Sequence, residues 1–157
     1  MSYNETLEKQ YLRSIPQQGK VGWIGIRPKR LLEVHSFSEV TANPDTGLES
    51  DHFKKSSTGK RQVTLIQLEH LDLVARILGK KGIAPELLRR NIVVSGINLL
   101  ALKNQQFQVG EVLLETTGIC APCSRMEENL GAGGYNSMRG HSGITAKIVQ
   151  GGTDQAW

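Results

Sequence analysis

Short β-branched runs, each closed by glycine, proline or asparagine, recur along most of this chain. They are "KVGWIGIRP" (20–28), "LLEVHSF" (31–37), "RQVTLIQ" (61–67), "IVVSG" (92–96), "FQVG" (107–110), "EVLLETTG" (111–118) and "GITAKIVQGG" (143–152). Runs of four to eight such residues bounded by turn formers read as strands. The first two alternate apolar and polar residues across a Pro-containing turn, a hairpin signal. In "NPDTG" (43–47), Pro44 presets φ and Gly47 permits a left-handed exit, so a tight turn is expected there. Seventeen glycines spread through the chain suit many turns and bulges better than long helices.

Helical periodicity is confined to a few places. Leu7 and Tyr11 stand four apart in a short segment ended by Pro16 and Gly19. Leu68, Leu71, Val74 and Leu78 form a 3.6-period stripe that Gly79 or Gly82 ends, and Pro85 opens a brief helix in "APELLRRN" (84–91). The pattern predicts a mostly β, barrel-like domain over 20–157 with a few short inserted helices, preceded by a helical extension at 1–19. Helix and strand alternate too irregularly for a doubly wound parallel sheet.

The chain has 157 residues, 38% hydrophobic and 22% charged, the composition of a globular protein with a core of its own. No apolar stretch has the length of a bilayer span, and "MSYNETLEKQYLRS" lacks the apolar centre of a secretory signal, so a cytoplasmic protein without membrane contact is expected. The net charge is +4, but the cations are scattered in groups such as "RPKR" (27–30), "KR" (60–61) and "RR" (89–90), and only 5% of residues are aromatic. That favours a small anionic ligand over nucleic acid, which needs a continuous basic surface with stacking rings.

Both cysteines lie in "TGICAPCSRMEENLG" (117–131). A structural zinc site needs four ligands, and a second closely spaced pair is missing; His35, His52, His70 and His141 are isolated from one another. A thioredoxin-like dithiol belongs after the first strand of a βαβ unit, whereas this pair comes late, after a series of strands. Behind Cys123, "SRME" has the form of a capping box, with Ser124 as cap and Glu127 reaching back. Cys123 is then expected just before a helix N-terminus and beside Arg125, where dipole and cation favour the thiolate. An inert buried cysteine is the plain alternative, and the local pattern leaves both open.

Taken together, "GLESDHF" (47–53), "RQVTLIQLE" (61–69), "RRNIVVSGINLLAL" (89–102), "FQVGEVLLETTGICAPCSRME" (107–127) and "HSGITAKIVQGG" (141–152) resemble the MOSC domain, named after the C-terminal domain of molybdenum-cofactor sulfurase. The resemblance implies a barrel-like fold of the PK β-barrel kind and a role with sulfur or the molybdenum cofactor. It implies a cysteine that ligates molybdenum or carries a persulfide, and the Pro-Cys segment falls on Pro122 and Cys123; Cys120 is the other candidate. The implied activity is a reductase module for N-hydroxylated small molecules, fed by an external electron donor, since the two cysteines cannot hold an iron-sulfur cluster. The alternative is a sulfur carrier that takes a persulfide from a donor protein for metal-sulfur assembly.

For the cofactor's phosphate, guanidinium groups suit better than ammonium, and Arg61, Arg90, Arg125 and Arg139 are the candidates, with Asn91 beside Arg90 and His141 as a further donor. Asp51 and His52 form another family-like spot, where Asp51 holds a turn or orients an arginine. The Gly-rich "GAGGYNSMRG" (131–140) reads as a flexible approach. Pyridoxal phosphate is not expected, because no lysine stands in a Schiff-base context.

Overall fold

The computed structural model describes residues 3–28, 33–51 and 60–155; for residues 3–6 and 154–155 it describes the backbone. Helix α1 (Tyr3–Arg13) leads into β1 (Lys20–Ile26), β2 (His35–Phe37), β3 (Glu39–Asn43) and β4 (Gly47–Leu48). Strand β5 (Val63–Gln67) runs into α2 (Leu68–Ile77), and a 3-10 turn at Pro85–Leu88 precedes β6 (Ile92–Ser95). A second 3-10 turn, Leu99–Leu102, leads to β7 (Gln106–Val109) and β8 (Val112–Ile119). Helices α3 (Ser124–Leu130) and α4 (Gly134–Met138) follow, then β9 (Ile144–Gln150) and β10 (Gly152–Gln155).

Seven strands form a mixed sheet in the order β2-β1-β6-β5-β9-β8-β7, and β10, β3 and β4 form a second, smaller one. The fold is mostly β, as the short runs predict, but the expected barrel does not close. Among the described residues the large sheet ends at β2 on one side and β7 on the other. The second sheet covers the open side instead. Val40, Ala42 and Leu48 from β3 and β4 share one buried cluster with Ile24, Leu65, Ile92, Leu114 and Ile148 of the large sheet. The chain crosses from one sheet to the other at Gly151, where a Cβ would lie 2.5 Å from the Ala42 carbonyl oxygen, so a side chain there would push the crossing segment away from β3.

The opposite face of the large sheet is covered by helices. Ile66 and Val93 point away from the first cluster and pack with Leu71 and Val74 of α2, Leu88, Met126 and Leu130 of α3, and Met138 of α4. Strands β5 and β6 are therefore buried on both faces, which is why "VTLI" and "IVV" read as continuous apolar runs rather than alternating ones. Each fully buried Ile or Leu here contributes roughly 1.5–3 kcal/mol. β5 and β6 are parallel, and α2 crosses over between them. So one βαβ unit sits inside an otherwise antiparallel sheet, a unit the sequence pattern did not single out.

Helix α2 ends as the stripe predicts, with Gly79 N–H donating to the Arg76 carbonyl and Lys80 N–H to that of Ala75, the Schellman pattern. Leu68, read as part of its buried stripe, is 43% exposed; Leu71, Val74 and Ala75 carry the packing. The expected N-terminal helix is present as α1, yet Tyr11 is 68% exposed and Ile15, beyond the helix, makes the contact with the core. None of the helices among the described residues is long and apolar enough to cross a membrane.

Candidate functional site

A cleft of about 190 Å³ opens where the C-terminal end of β1 meets the N-terminal ends of β5 and β6. It is of the size that encloses a phosphate-like head group rather than a drug-sized molecule. Open α/β sheets usually bind ligands beyond the C-terminal ends of parallel strands, so this cleft is at the other end of the β5–β6 pair. Arg27, Arg61, Arg89 and Arg90 line it, together with Asp51, Thr64, Asn91 and Cys123.

Arg90 is the most constrained of these cations. It is 5% exposed, and its guanidinium donates from Nε to the Ser142 carbonyl at 2.9 Å and from Nη1 to the Leu88 carbonyl at 2.8 Å. Its Nη2 is buried without a partner among the described residues, and so is Nε of Arg27. Buried N–H groups of charged side chains are rarely left unmatched, because the desolvation is then uncompensated. Two such groups belong to residues of this one cleft.

Arg89 caps the 3-10 turn at Pro85–Leu88 with φ 57° and ψ 37°. A non-glycine residue in the left-handed region is uncommon and costs about 1 kcal/mol or more. Burial pulls its pKa below the ordinary arginine value, the charges of Arg27 and Arg125 do the same, and Cys123 opposes them. Arg89 stays cationic at neutral pH regardless.

The frame that holds these cations is made of neutral and acidic groups. Asp51 accepts the backbone N–H of Arg27 at 2.9 Å and the Asn91 side-chain amide at 3.3 Å. Asn91 also donates to the Gly25 carbonyl at 3.3 Å and accepts from the backbone N–H and hydroxyl of Thr64 at 2.9 and 3.1 Å. Its amide is thereby engaged on β1 and β5. Asp51 does hold an arginine, through the main chain rather than the guanidinium. His52 lies outside the described residues.

Cys123 is exposed and is itself the N-cap residue of α3, its carbonyl accepting from Met126 N–H at 2.9 Å. The expected capping box is therefore not formed. Ser124 is the first helical residue, and the Glu127 carboxylate turns the other way to accept from the backbone N–H groups of Gly133 and Tyr135, at the start of α4. That tie gives "GAGGYNSMRG" a helix, with Gly134, Ser137 and Met138 buried, where a flexible approach was expected. Cys120 is 1% exposed, its N–H donates to the Gly143 carbonyl, and Arg61 Nη2 lies 3.7 Å from its sulfur. Arg61 thus connects the cleft to the buried thiol.

Of the residues singled out in the sequence, Cys123, Arg61, Arg90 and Asn91 come together in the cleft. Arg125 is not in the lining but acts on Arg89 through its charge. Arg139 is exposed at the end of α4, and His141 packs edge to face on His70 with ring centroids 5.1 Å apart; neither lines the cleft. The histidines are therefore not all isolated. Arg27, Thr64 and Arg89 were not picked out as site residues; the "RR" doublet immediately ahead of the β6 run was the one local sign of Arg89.

An open mixed sheet with an arginine-lined cleft and an accessible thiol at its edge defines the class of this protein. Residues 35–153 match the MOSC domain, and the chain belongs to that family, as the sequence resemblance implies. The fold is similar to that of the YuaD protein from Bacillus subtilis (TM-score 0.74, 18% identity, covering 91% of this chain and 94% of that one). It is also similar to YiiM from Geobacillus stearothermophilus (TM-score 0.71, 13% identity, 88% and 71%) and YiiM from Escherichia coli (0.66, 17%, 87% and 65%). A comparison with curated protein sequences returns no match.

Proposed function

We propose that this MOSC protein binds the molybdenum cofactor with its phosphate in the arginine cleft and Cys123 as protein ligand to the metal, and serves as a reductase module for N-hydroxylated small molecules. The observation that carries the reading is the coincidence, in one cleft, of an exposed cysteine with two buried guanidinium N–H groups that have no partner among the described residues. The donor set fits the group. Guanidinium matches a phosphate dianion, and a thiolate is a soft ligand suited to molybdenum.

In this reading Arg27 and Arg90 donate to the phosphate, and Arg61 and Arg89 complete its neutralisation. Asp51 and Asn91 hold the ends of β1, β5 and β6 so that these cations keep their places before any ligand arrives, which lowers the cost of binding. Cys123 presents its sulfur at the rim from the start of α3. The cofactor, when bound, supplies two-electron redox chemistry at the metal. Electrons come from a separate donor protein.

The test is expression in a host that makes the cofactor, followed by metal analysis of protein shown to be folded. One molybdenum per chain is expected, lost in Cys123→Ser and Arg90→Met; molybdenum-free folded protein overturns the reading. The exposure of Cys123 also supports a second reading, sulfur carriage. There the Cys123 thiolate attacks the outer sulfur of a desulfurase persulfide, the desulfurase thiolate leaves, and Cys123 holds the persulfide. Intact-mass measurement after incubation with a cysteine desulfurase and cysteine shows one added sulfur on Cys123 if so, and none if not.

A further inference from the structure

We propose that the hollow between the Leu99–Leu102 turn and the end of β8 is a second ligand site, for a small organic acid with a branched or aromatic body. The cavity measures about 220 Å³ and shares no lining residue with the arginine cleft. Its walls divide by chemistry. Leu100, Ile119 and Ile144 supply apolar surface, and Lys103, Asn104 and Thr116 supply a cation, an amide and a hydroxyl; the hydroxyl of Thr117, also in the lining, is already bonded to the Lys60 carbonyl and the Thr145 hydroxyl.

The fold opens this space deliberately. The Thr116 N–H donates to the Gln105 carbonyl at 3.1 Å, pinning the segment after the 3-10 turn against β8. Directly beyond that bond β8 slips register against β9, between Thr116 and Gly118. Such bulges are enriched beside binding sites, where they end regular pairing and re-aim side chains. On the facing side Asn104 takes a left-handed conformation, φ 59°, which asparagine tolerates better than other side chains and which reverses the chain at the cavity.

One hydroxyl of the lining is unmatched. Thr116 is 8% exposed, yet its Oγ1 is buried without a hydrogen-bond partner among the described residues. An unpaired buried hydroxyl is a standing cost to the fold. Ile119, at the end of a central strand, is 61% exposed, and Leu100 across the hollow is 41% exposed. Lys103 is the cation of the lining. An apolar surface with one ammonium and two neutral hydrogen-bonding groups suits a monocarboxylate with a compact hydrocarbon body.

The test is titration of the full chain with benzoate and with 4-methylpentanoate, followed by amide resonances in two-dimensional NMR, with benzyl alcohol as the neutral control. Saturable shifts are expected at Lys103, Asn104, Gly118 and Ile119, with benzyl alcohol much weaker. Lys103→Met, at an exposed position, is expected to weaken the acids about tenfold, the usual worth of one charge-assisted bond. Thr116→Val, which keeps the shape and removes the hydroxyl, is expected to weaken them several-fold without lowering the unfolding midpoint. No saturable shift at these amides overturns the proposal, as do shifts confined to Arg89 and Asn91, equal binding of benzyl alcohol, or binding unchanged in Lys103→Met.

Discussion

Thr64 and Asn91 hold each other by main chain and side chain at once. Asn91 N–H lies 3.1 Å from the Thr64 carbonyl and 3.0 Å from its hydroxyl, while the Asn91 Oδ1 accepts from the Thr64 N–H at 2.9 Å and its hydroxyl at 3.1 Å. Their strands are the parallel pair, and the cleft lies on the junction. Because the Asn91 amide also reaches Gly25 and Asp51, removing it leaves several partly buried groups unmatched at once. Asn91→Ala is expected to cost about 2–4 kcal/mol, measured by urea unfolding. A cost below about 1 kcal/mol would show that water replaces the amide and that the junction is held by other contacts.

Arg89 offers a separate test, of backbone strain at a residue that lines the cleft. At φ 57° alanine pays nearly the penalty arginine pays, and glycine does not. Arg89→Gly is therefore expected to be about 1 kcal/mol more stable than Arg89→Ala, and under the proposed function both lose most of any shift that added phosphate produces in the thermal midpoint of the unaltered chain. Equal stability of the two variants would remove strain from the account of this residue.

The strands were legible because period-two runs and their bounding glycines are local properties. The parallel β5–β6 unit was not, because a strand buried on both faces has no alternation to read, and because α2 follows Gln67 with no intervening turn. Barrel closure was misjudged for a different reason: whether edge strands meet is decided by long-range curvature, and the break at Gly151 sends the last strand into another sheet. Within the site, Cys123 was legible from its place before a helix. The capping assignment failed because Glu127 had a competing set of N–H groups in Gly133 and Tyr135, close in space only after α4 forms. Arg27 and Arg89 were hidden by their ordinariness, as members of basic groups whose burial the sequence does not state.

The cysteines differ in access, and that difference predicts their reactivity. Cys123 is exposed and Cys120 is 1% exposed. Brief iodoacetamide treatment of the native chain is expected to add one label, on Cys123, with Cys120 reacting after denaturation. Cys123→Ser is expected to change stability by less than about 0.5 kcal/mol, as exposed substitutions do, and Cys120→Ala to cost about 1 kcal/mol. Labelling of Cys120 at the same rate as Cys123 would mean that the end of β8 opens readily in the native protein.

The His70–His141 contact makes stability depend on pH. Burial holds the His70 pKa below its ordinary value of 6.5, the neighbouring His141 adds to the depression, and Glu69 opposes it. The Nδ1 of His70 is buried without a partner among the described residues, so a proton there has no acceptor among them. The unfolded chain binds that proton more readily than the folded one, so stability rises with pH across this range. The contribution is fully present above 6.5 and is lost as the pH falls from there toward the lower folded value. Unfolding midpoints measured from pH 7.5 to 5 are expected to drop, and His70→Gln, which keeps the polarity and cannot be protonated, is expected to flatten that drop. A profile unchanged in His70→Gln would assign the acid sensitivity to other groups. The consequence reaches the cleft, because Ser142, next to His141, accepts from Arg90 through its carbonyl: acid that parts the two rings is expected to loosen the hold on the Arg90 guanidinium along with the fold.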